Sequence, residues 1–514
     1  HALAAIVSVD ALNGLEHVAT INALRRADGS RIPLLILATE PQGASQLLSS
    51  WTGGRVEACR EVERRSGMWR MMFSRELDIV HQLSGMSTKA ASAPVCGLML
   101  SRDPSIQVLA DMYNETNRVT TFIHFLIGKQ PIFIATATIP MNKVETSGTA
   151  SLQEAFTSIA ELMIFLRHAA GERAWHTPAY YANLTVDDPW LTEPYGGLRY
   201  GALLREMENH NFHTTIAFVP WNFDRSQPEV VSLFQGHADR FSIGIHGNNH
   251  NHREFGGYNT QPFERQRDDI KQALARMEQF RKRTGLPYDR VMVFPHAVAP
   301  AETFGILKKD DYWATVNSQN VPLGSKIPDD PLFPLTPWTL AFKGFPSVKR
   351  ISAEVPVSDI DIAVNLFLGN PELFYVHQEF FEDKISAFNA VADEVNHLEP
   401  QVQWKSLGYI MRHLYLIRLR PDEDYDVMAI SSNLALVNPT ERNIVFHVHK
   451  IEDPEIPLRT VLLDGIPVTY KTAFNEMSFD VLLGPKQSRD VEVSYSDGLN
   501  LASVDVSKKS LLIT

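Results

Sequence analysis

Phe241-Ser242-Ile243-Gly244-Ile245-His246-Gly247-Asn248-Asn249-His250-Asn251-His252 decides how the chain is read. Its first half has the apolar character of a buried strand, and its second half places three histidines within seven residues. Such a run is poor core material, because a buried imidazole needs polar partners. The His-x-x-x-His spacing lets both rings reach one metal ion if the chain turns helically after the strand. His246 and His250 are the preferred pair, with His252 an alternative to one of them; loop histidines in solvent are the other reading.

Two more strand-like runs end in chemistry-bearing residues. Ala182–Val186 leads into Asp187-Asp188. Adjacent carboxylates after a strand point in different directions, so one can bind a cation while the other handles protons. A helix N-cap or an acidic turn is the alternative. Leu373–Val376 ends in His377, a residue suited to proton donation at the mouth of a barrel.

Apolar runs at Thr214–Val219, Val291–Phe294 and Ala314–Asn317 repeat the pattern, with helical spacing at Gly201–His210, Pro228–His237, Pro262–Thr284 and Ile385–Glu394. In the Pro262–Thr284 segment, Ile270, Ala273, Leu274 and Met277 share one face. Repeated strand-helix units predict an incomplete β/α barrel. Before it, Ala4–Val9, Leu15–Arg26 and Ile32–Ala38 follow a β-α-β order that predicts a doubly wound parallel sheet. Further strands are expected at Val95–Ser101, Ile106–Asp111, Val119–Leu126 and Gln130–Ala137, and the region from Arg55 to Ser87 has no assignable pattern. Ser151 and Glu154 mark the start of a helix to His168. Beyond about residue 400, short strands at Tyr425–Leu436, Asn443–His449, Leu458–Leu463, Met477–Leu483 and Arg489–Tyr495 predict an antiparallel β-sandwich. The expected organisation is α/β and multidomain: an N-terminal α/β domain over 1–148, a barrel over 149–398 and a β-sandwich over 399–514.

Composition narrows the function classes. Hydrophobic residues at 44% and charged residues at 21% argue for folded domains. A net charge of −12 weighs against a nucleic-acid partner. No apolar run is long enough for a transmembrane helix. Cys59 and Cys96, the only cysteines, exclude a cysteine-rich scaffold and leave one bridge open. No basic residue precedes Ala2–Val7, so no complete signal peptide is expected, as in a secreted or cell-surface protein whose leader has been removed.

Taken in order, Leu184-Thr185-Val186-Asp187-Asp188, His246-x-x-x-His250 and Leu373–His377 resemble the polysaccharide deacetylase superfamily, whose catalytic domain is the NodB homology domain. The resemblance covers roughly residues 175–395. It implies a carbohydrate esterase that removes acetyl groups from an acetylated polysaccharide, expected to be an N-acetylated amino-sugar exopolysaccharide. It implies a divalent metal, expected to be zinc, held by Asp188, His246 and His250. Asp187 corresponds to the general base acting on metal-activated water, and His377 to the general acid. His296 stands where the family often has an aromatic substrate contact, and Trp190 and Trp221 are expected to line the cleft as substrate-binding residues. Two departures stand out. Val293 occupies the position of the arginine that orients the catalytic aspartate in the family, with Arg290 a weak substitute, and the Asp-Trp motif is met only by Asp311-Tyr312-Trp313. A glycoside hydrolase using Asp187 and Glu379, or a non-catalytic saccharide-binding relative, remain as alternatives. Glu254, beyond the histidines, is expected in solvent.

Overall fold

In the computed structural model, Tyr181–Asp187 is a strand buried along its whole length, as expected where both sheet faces are covered. The structure describes residues 2–26, 28–38, 43–62, 68–137, 151–251, 254–297, 299–330, 332–496 and 499–507. His252 lies outside the described residues.

The chain forms two units. One comprises His1–Ala174, Asp329–Leu335 and Ser358–Leu368; the other comprises Trp175–Pro328, Thr336–Val357 and Gly369–Thr514. This partition differs from the expected boundaries. The capping box of Ser151 and Glu154 forms as read, but the helix breaks into Leu152–Thr157 and Ala160–Ala170, both within the first unit. The C-terminal strands cluster with the central sheet rather than alone.

In the first unit a nine-stranded sheet runs from Ala5–Ser8 through Leu34–Leu37 to Gln130–Ala135 in parallel, then continues antiparallel. The doubly wound expectation therefore holds for three strands only. Tight turns such as Gly128-Lys129 return the chain directly, which permits only antiparallel neighbours. Val56–Glu61 and Arg70–Phe73, in the region without an assignable pattern, are two further strands. Cys59 and Cys96 are disulfide-bonded.

The central sheet of the second unit runs in the order Trp338–Thr339, Ser347–Lys349, Ala314–Asn317, Val291–Val293, Phe241–His246, Thr214–Phe218, Tyr181–Asp187, Glu372–His377, Ile351–Ser352. All neighbours are parallel except the first pair. The first and last parallel members, Ser347–Lys349 and Ile351–Ser352, are separated by Arg350 alone. The sheet therefore curls until its two ends share one stretch of chain, although no ladder among the described residues closes it into a barrel. Helices Tyr200–His210, Pro228–Gly236 and Phe263–Thr284 fall close to their expected positions. The expected helix at Ile385–Glu394 instead spans Asn389–Leu398.

Beyond residue 414 a five-stranded and a four-stranded sheet enclose one core that includes Val427, Leu434, Phe446, Val461, Val481 and Val491. The single strand expected over Tyr425–Leu436 is two, Tyr425–Ala429 and Asn433–Val437, one in each sheet. Ser431 and Ser432 lie at the crossing. One pairing, Tyr425–Ala429 with Ile444–Ile451, is parallel.

Candidate metal centre and active site

Three strands of the central sheet, two of them adjacent and the third separated from that pair by Thr214–Phe218, deliver the candidate residues from their C-terminal ends. Asp187 ends one strand, His377 ends the strand beside it, and the two are register partners. His246 ends a third. Asp188 follows with φ of 83°, and this left-handed turn, rather than strand alternation alone, separates its carboxylate from that of Asp187.

Asp188 Oδ1 lies 3.1 Å from His246 Nε2 and 2.9 Å from His250 Nε2. The potential ligand atoms of all three residues fall within 4.8 Å of one another. His246 Nδ1 donates to the carbonyl of Val293 at 3.0 Å, which fixes the ring with Nε2 turned toward Asp188. Two imidazole nitrogens and a carboxylate oxygen suit a zinc-like ion with open coordination positions. Burial alone would raise the Asp188 carboxyl, yet its hydrogen bonds with His246 and His250 hold it well below the usual carboxylate range.

The segment from His246 to His250 is not the helical turn expected from its spacing. Gly247 has φ of 59° and His250 φ of 53°, so the loop doubles back. A β-carbon on Gly247 would sit 2.6 Å from Pro295 Cγ and 2.8 Å from Glu254 Oε2. Glu254, expected in solvent, is 1% exposed. Its carboxylate accepts the backbone N–H groups of Asn248 (2.8 Å), Asn249 (3.3 Å) and His250 (2.8 Å), because the tight loop leaves those donors without helical partners. Burial and the neighbouring Asp269 raise the Glu254 carboxyl to about 8, against the pull of those three donors.

Asp187 faces Arg350. The guanidinium nitrogens lie 2.8 Å and 2.9 Å from the two carboxylate oxygens, a bidentate pair buried from solvent. Arg350 also stacks 4.6 Å from the centroid of the Tyr375 ring. Its backbone N–H donates to the backbone carbonyl of Asn317 at 2.7 Å, which fixes it at the seam of the curled sheet. Arg290, the weak substitute, instead lies beside Asp311 at 3.9 Å. At the position of the family's arginine, Val293 contributes its backbone, accepting from both His246 and Gly247.

His377 is held by Glu354, whose Oε1 accepts from the backbone N–H at 2.8 Å and lies 2.7 Å from ring Nδ1. Burial pulls the His377 pKa down, but the Glu354 hydrogen bond and the charges of Asp187 and Asp188 outweigh it and raise the value. Asp311, nearest to the family's fourth motif, pairs with Arg290.

Trp190 meets Tyr195 edge-on, with ring centroids 4.7 Å apart. The Tyr195 hydroxyl is raised to about 12, by burial first and then by the negative charges of Asp188 and Glu379. Gly197 brings this loop against the residues after His377; a β-carbon there would lie 2.3 Å from Glu382 Cα. His296, at φ of 58°, is exposed, and its ring centroid is 5.6 Å from that of His250. Trp221 is half-buried, with the Arg276 guanidinium 4.6 Å from its ring centroid.

Sequence reasoning missed Arg350, Glu354 and Glu254. The first two flank Ile351–Ser352, a strand too short for any periodicity to reveal. Glu254 did carry a signal, a carboxylate placed to accept from a polar loop a few residues before it.

No family model matches the chain, and no curated protein matches it. Among solved structures, it is similar to Agd3, described as a novel carbohydrate deacetylase, at 9% identity and a TM-score of 0.47, covering 91% of this chain and 92% of that one. It is similar to a family 4 carbohydrate esterase from Streptomyces lividans at 13% identity and a TM-score of 0.25, covering 44% of this chain and 92% of that one. It is also similar to a CE4 family pseudoenzyme from Bacillus anthracis at 13% identity and a TM-score of 0.27, covering 45% of this chain and 64% of that one.

Proposed function

We propose that this chain is a metal-dependent hydrolase that removes acetyl groups from an acetylated polysaccharide, with an N-acetylated amino-sugar polymer as the substrate class. The observation that carries the reading is one carboxylate oxygen, Asp188 Oδ1, facing two imidazole Nε2 atoms at 3.1 Å and 2.9 Å, beside the paired strand ends of Asp187 and His377. Asp188, His246 and His250 would hold the ion, with zinc favoured by the nitrogen-rich donor set. When bound, the cation lowers the pKa of water and polarises the acetyl carbonyl.

The chain's own groups then divide the proton transfers. Asp187, clamped through both oxygens by Arg350, takes the proton of the attacking water. The rigid pair keeps the carboxylate aimed rather than free to rotate. His377, raised by Glu354 and the two aspartates, stays protonated long enough to donate to the departing amine or alcohol. Trp190 and Tyr195 offer an aromatic wall for a sugar face, and His296 a polar contact on the His250 side.

The pairing of Arg350 with Asp187 supports the catalytic reading over a non-catalytic relative. The disulfide between Cys59 and Cys96 supports an oxidising compartment, outside the cell or at its surface. The deciding experiment measures acetate release from acetylated amino-sugar oligosaccharides, before and after chelation and with zinc restored. Release that is indifferent to chelation, or absent with zinc bound, would overturn the reading.

A further inference from the structure

Arg276 lies midway along Phe263–Thr284 and is 0% exposed. A buried guanidinium is tolerated only when its N–H groups find acceptors. The acceptors come from two regions distant in sequence. Nη1 donates to Asn248 Oδ1 at 2.5 Å and to Asn249 Oδ1 at 2.7 Å, both within the loop that joins His246 to His250. Nε donates to the backbone carbonyl of Val506 at 2.9 Å. One turn earlier on the same helix, Gln272 Nε2 donates to the carbonyl of Asp505 at 2.6 Å.

The same loop residues are held from other sides. Asn248 Nδ2 donates to Asp269 Oδ1 at 2.6 Å and to Gln272 Oε1 at 3.0 Å. The Trp221 ring lies against the Arg276 guanidinium, and the Trp221 backbone N–H donates to the Asn248 carbonyl at 2.9 Å. Asp505 and Val506, beyond the sandwich, thus contact the helix face that supports the candidate metal loop. These two contacts are accepted by backbone carbonyls, which a change of side chain at 505 or 506 would leave in place.

We propose that Arg276 is a positioning residue for the metal-binding loop, and that the C-terminal segment acts on the metal centre through it. With the carbonyls of Asp505 and Val506 in place, the fork of Arg276 is fixed and so are the amides of Asn248 and Asn249 that it grips. Without them the fork loses one anchor, and the spacing between His246 and His250 is less well defined. This inference rests on the reading of Asp188, His246 and His250 as the metal centre.

The test is zinc affinity, measured by competition with a chromophoric chelator, on four full-length or near-full-length proteins. These are the unaltered chain, Arg276→Met, a chain ending at Val504, and a chain combining both changes. Arg267→Met serves as the control. It lies on the same helix and frees the buried carboxylate of Asp310, to which it donates at 3.1 Å and 3.0 Å, so it destabilises without touching the loop. Arg276→Met and the truncation are each expected to weaken zinc binding about 10- to 100-fold, the scale for loss of a ligand's outer support. The combined protein should be little worse than Arg276→Met, because both act along one path. Arg267→Met should keep the unaltered zinc affinity. Unaltered zinc binding by Arg276→Met, by the truncated chain, or by both overturns the inference, as does full additivity of the two changes. If Arg276→Met does not fold, the truncated chain alone decides. An unaltered chain that takes up no zinc overturns the metal reading itself, and this inference with it.

Discussion

Asp187 and His377 are register partners on adjacent parallel strands, yet one is buried against Arg350 and the other is half-exposed beside Glu354. Paired positions in a parallel sheet project to the same side. The two groups needed for opposite proton transfers therefore leave the sheet together, and their different partners set them apart. Each is oriented by a residue from the segment around Ile351–Ser352.

Replacing either proton-transfer group should separate binding from turnover. Asp187→Asn and His377→Ala are each expected to retain zinc and to lower acetate release by about 10²-fold or more. Metal content by elemental analysis, read beside initial rates, checks both. Near-normal release from both variants would remove them from the mechanism.

His246→Ala should lose the ion. Its Nε2 is one of the nitrogens facing Asp188 Oδ1, and its Nδ1 is already committed to Val293. Elemental analysis of the purified variant is expected to find little zinc, and full retention would refute the ligand assignment.

Arg350→Met strands the buried carboxylate of Asp187. Removing one partner of a buried ion pair costs roughly 3–5 kcal/mol, because the other charge is left without compensation. Urea unfolding should report that loss. A double variant, Arg350→Met with Asp187→Leu, is expected to regain much of the stability and none of the activity. Equal stability of the single variant and the unaltered chain would contradict the pairing.

Glu354→Gln should move the pH dependence of turnover. The raised pKa of His377 keeps it protonated to higher pH, so its acid function is present below that pKa and lost as pH rises through it. Withdrawing the Glu354 charge leaves the charges of Asp187 and Asp188 to raise the value and lets burial pull it down. The alkaline limb of the rate profile is therefore expected to shift to lower pH. An unmoved limb would show that Glu354 does not tune His377.

Cys59→Ser with Cys96→Ser opens a loop whose ends are 37 residues apart. Loop-closure entropy puts the expected loss at roughly 3–4 kcal/mol, confined to the unit that contains both cysteines. Thermal unfolding should show one transition lowered while zinc affinity is unchanged.

Much of the site was legible because its residues sit at the ends of long apolar strands. Asp187, Asp188, His246 and His377 each interrupt a buried run, and local alternation, burial and spacing are properties of contiguous residues. The sandwich strands and the long helix at Phe263–Thr284 were readable on the same ground. The path of the His246–His250 loop was not, because a tight return through left-handed residues is stabilised by Glu254 and Arg276, whose partners no periodicity marks. Nor could the sequence name Arg350 as the partner of Asp187, since they are 163 positions apart. The sheet's curvature brings its two ends to the single stretch that carries Arg350 and Glu354. Residue types and short-range order determined which groups could do the chemistry; only the closing of distant segments decided which charges face them, because an ion pair's strength depends on distance and burial rather than on position along the chain.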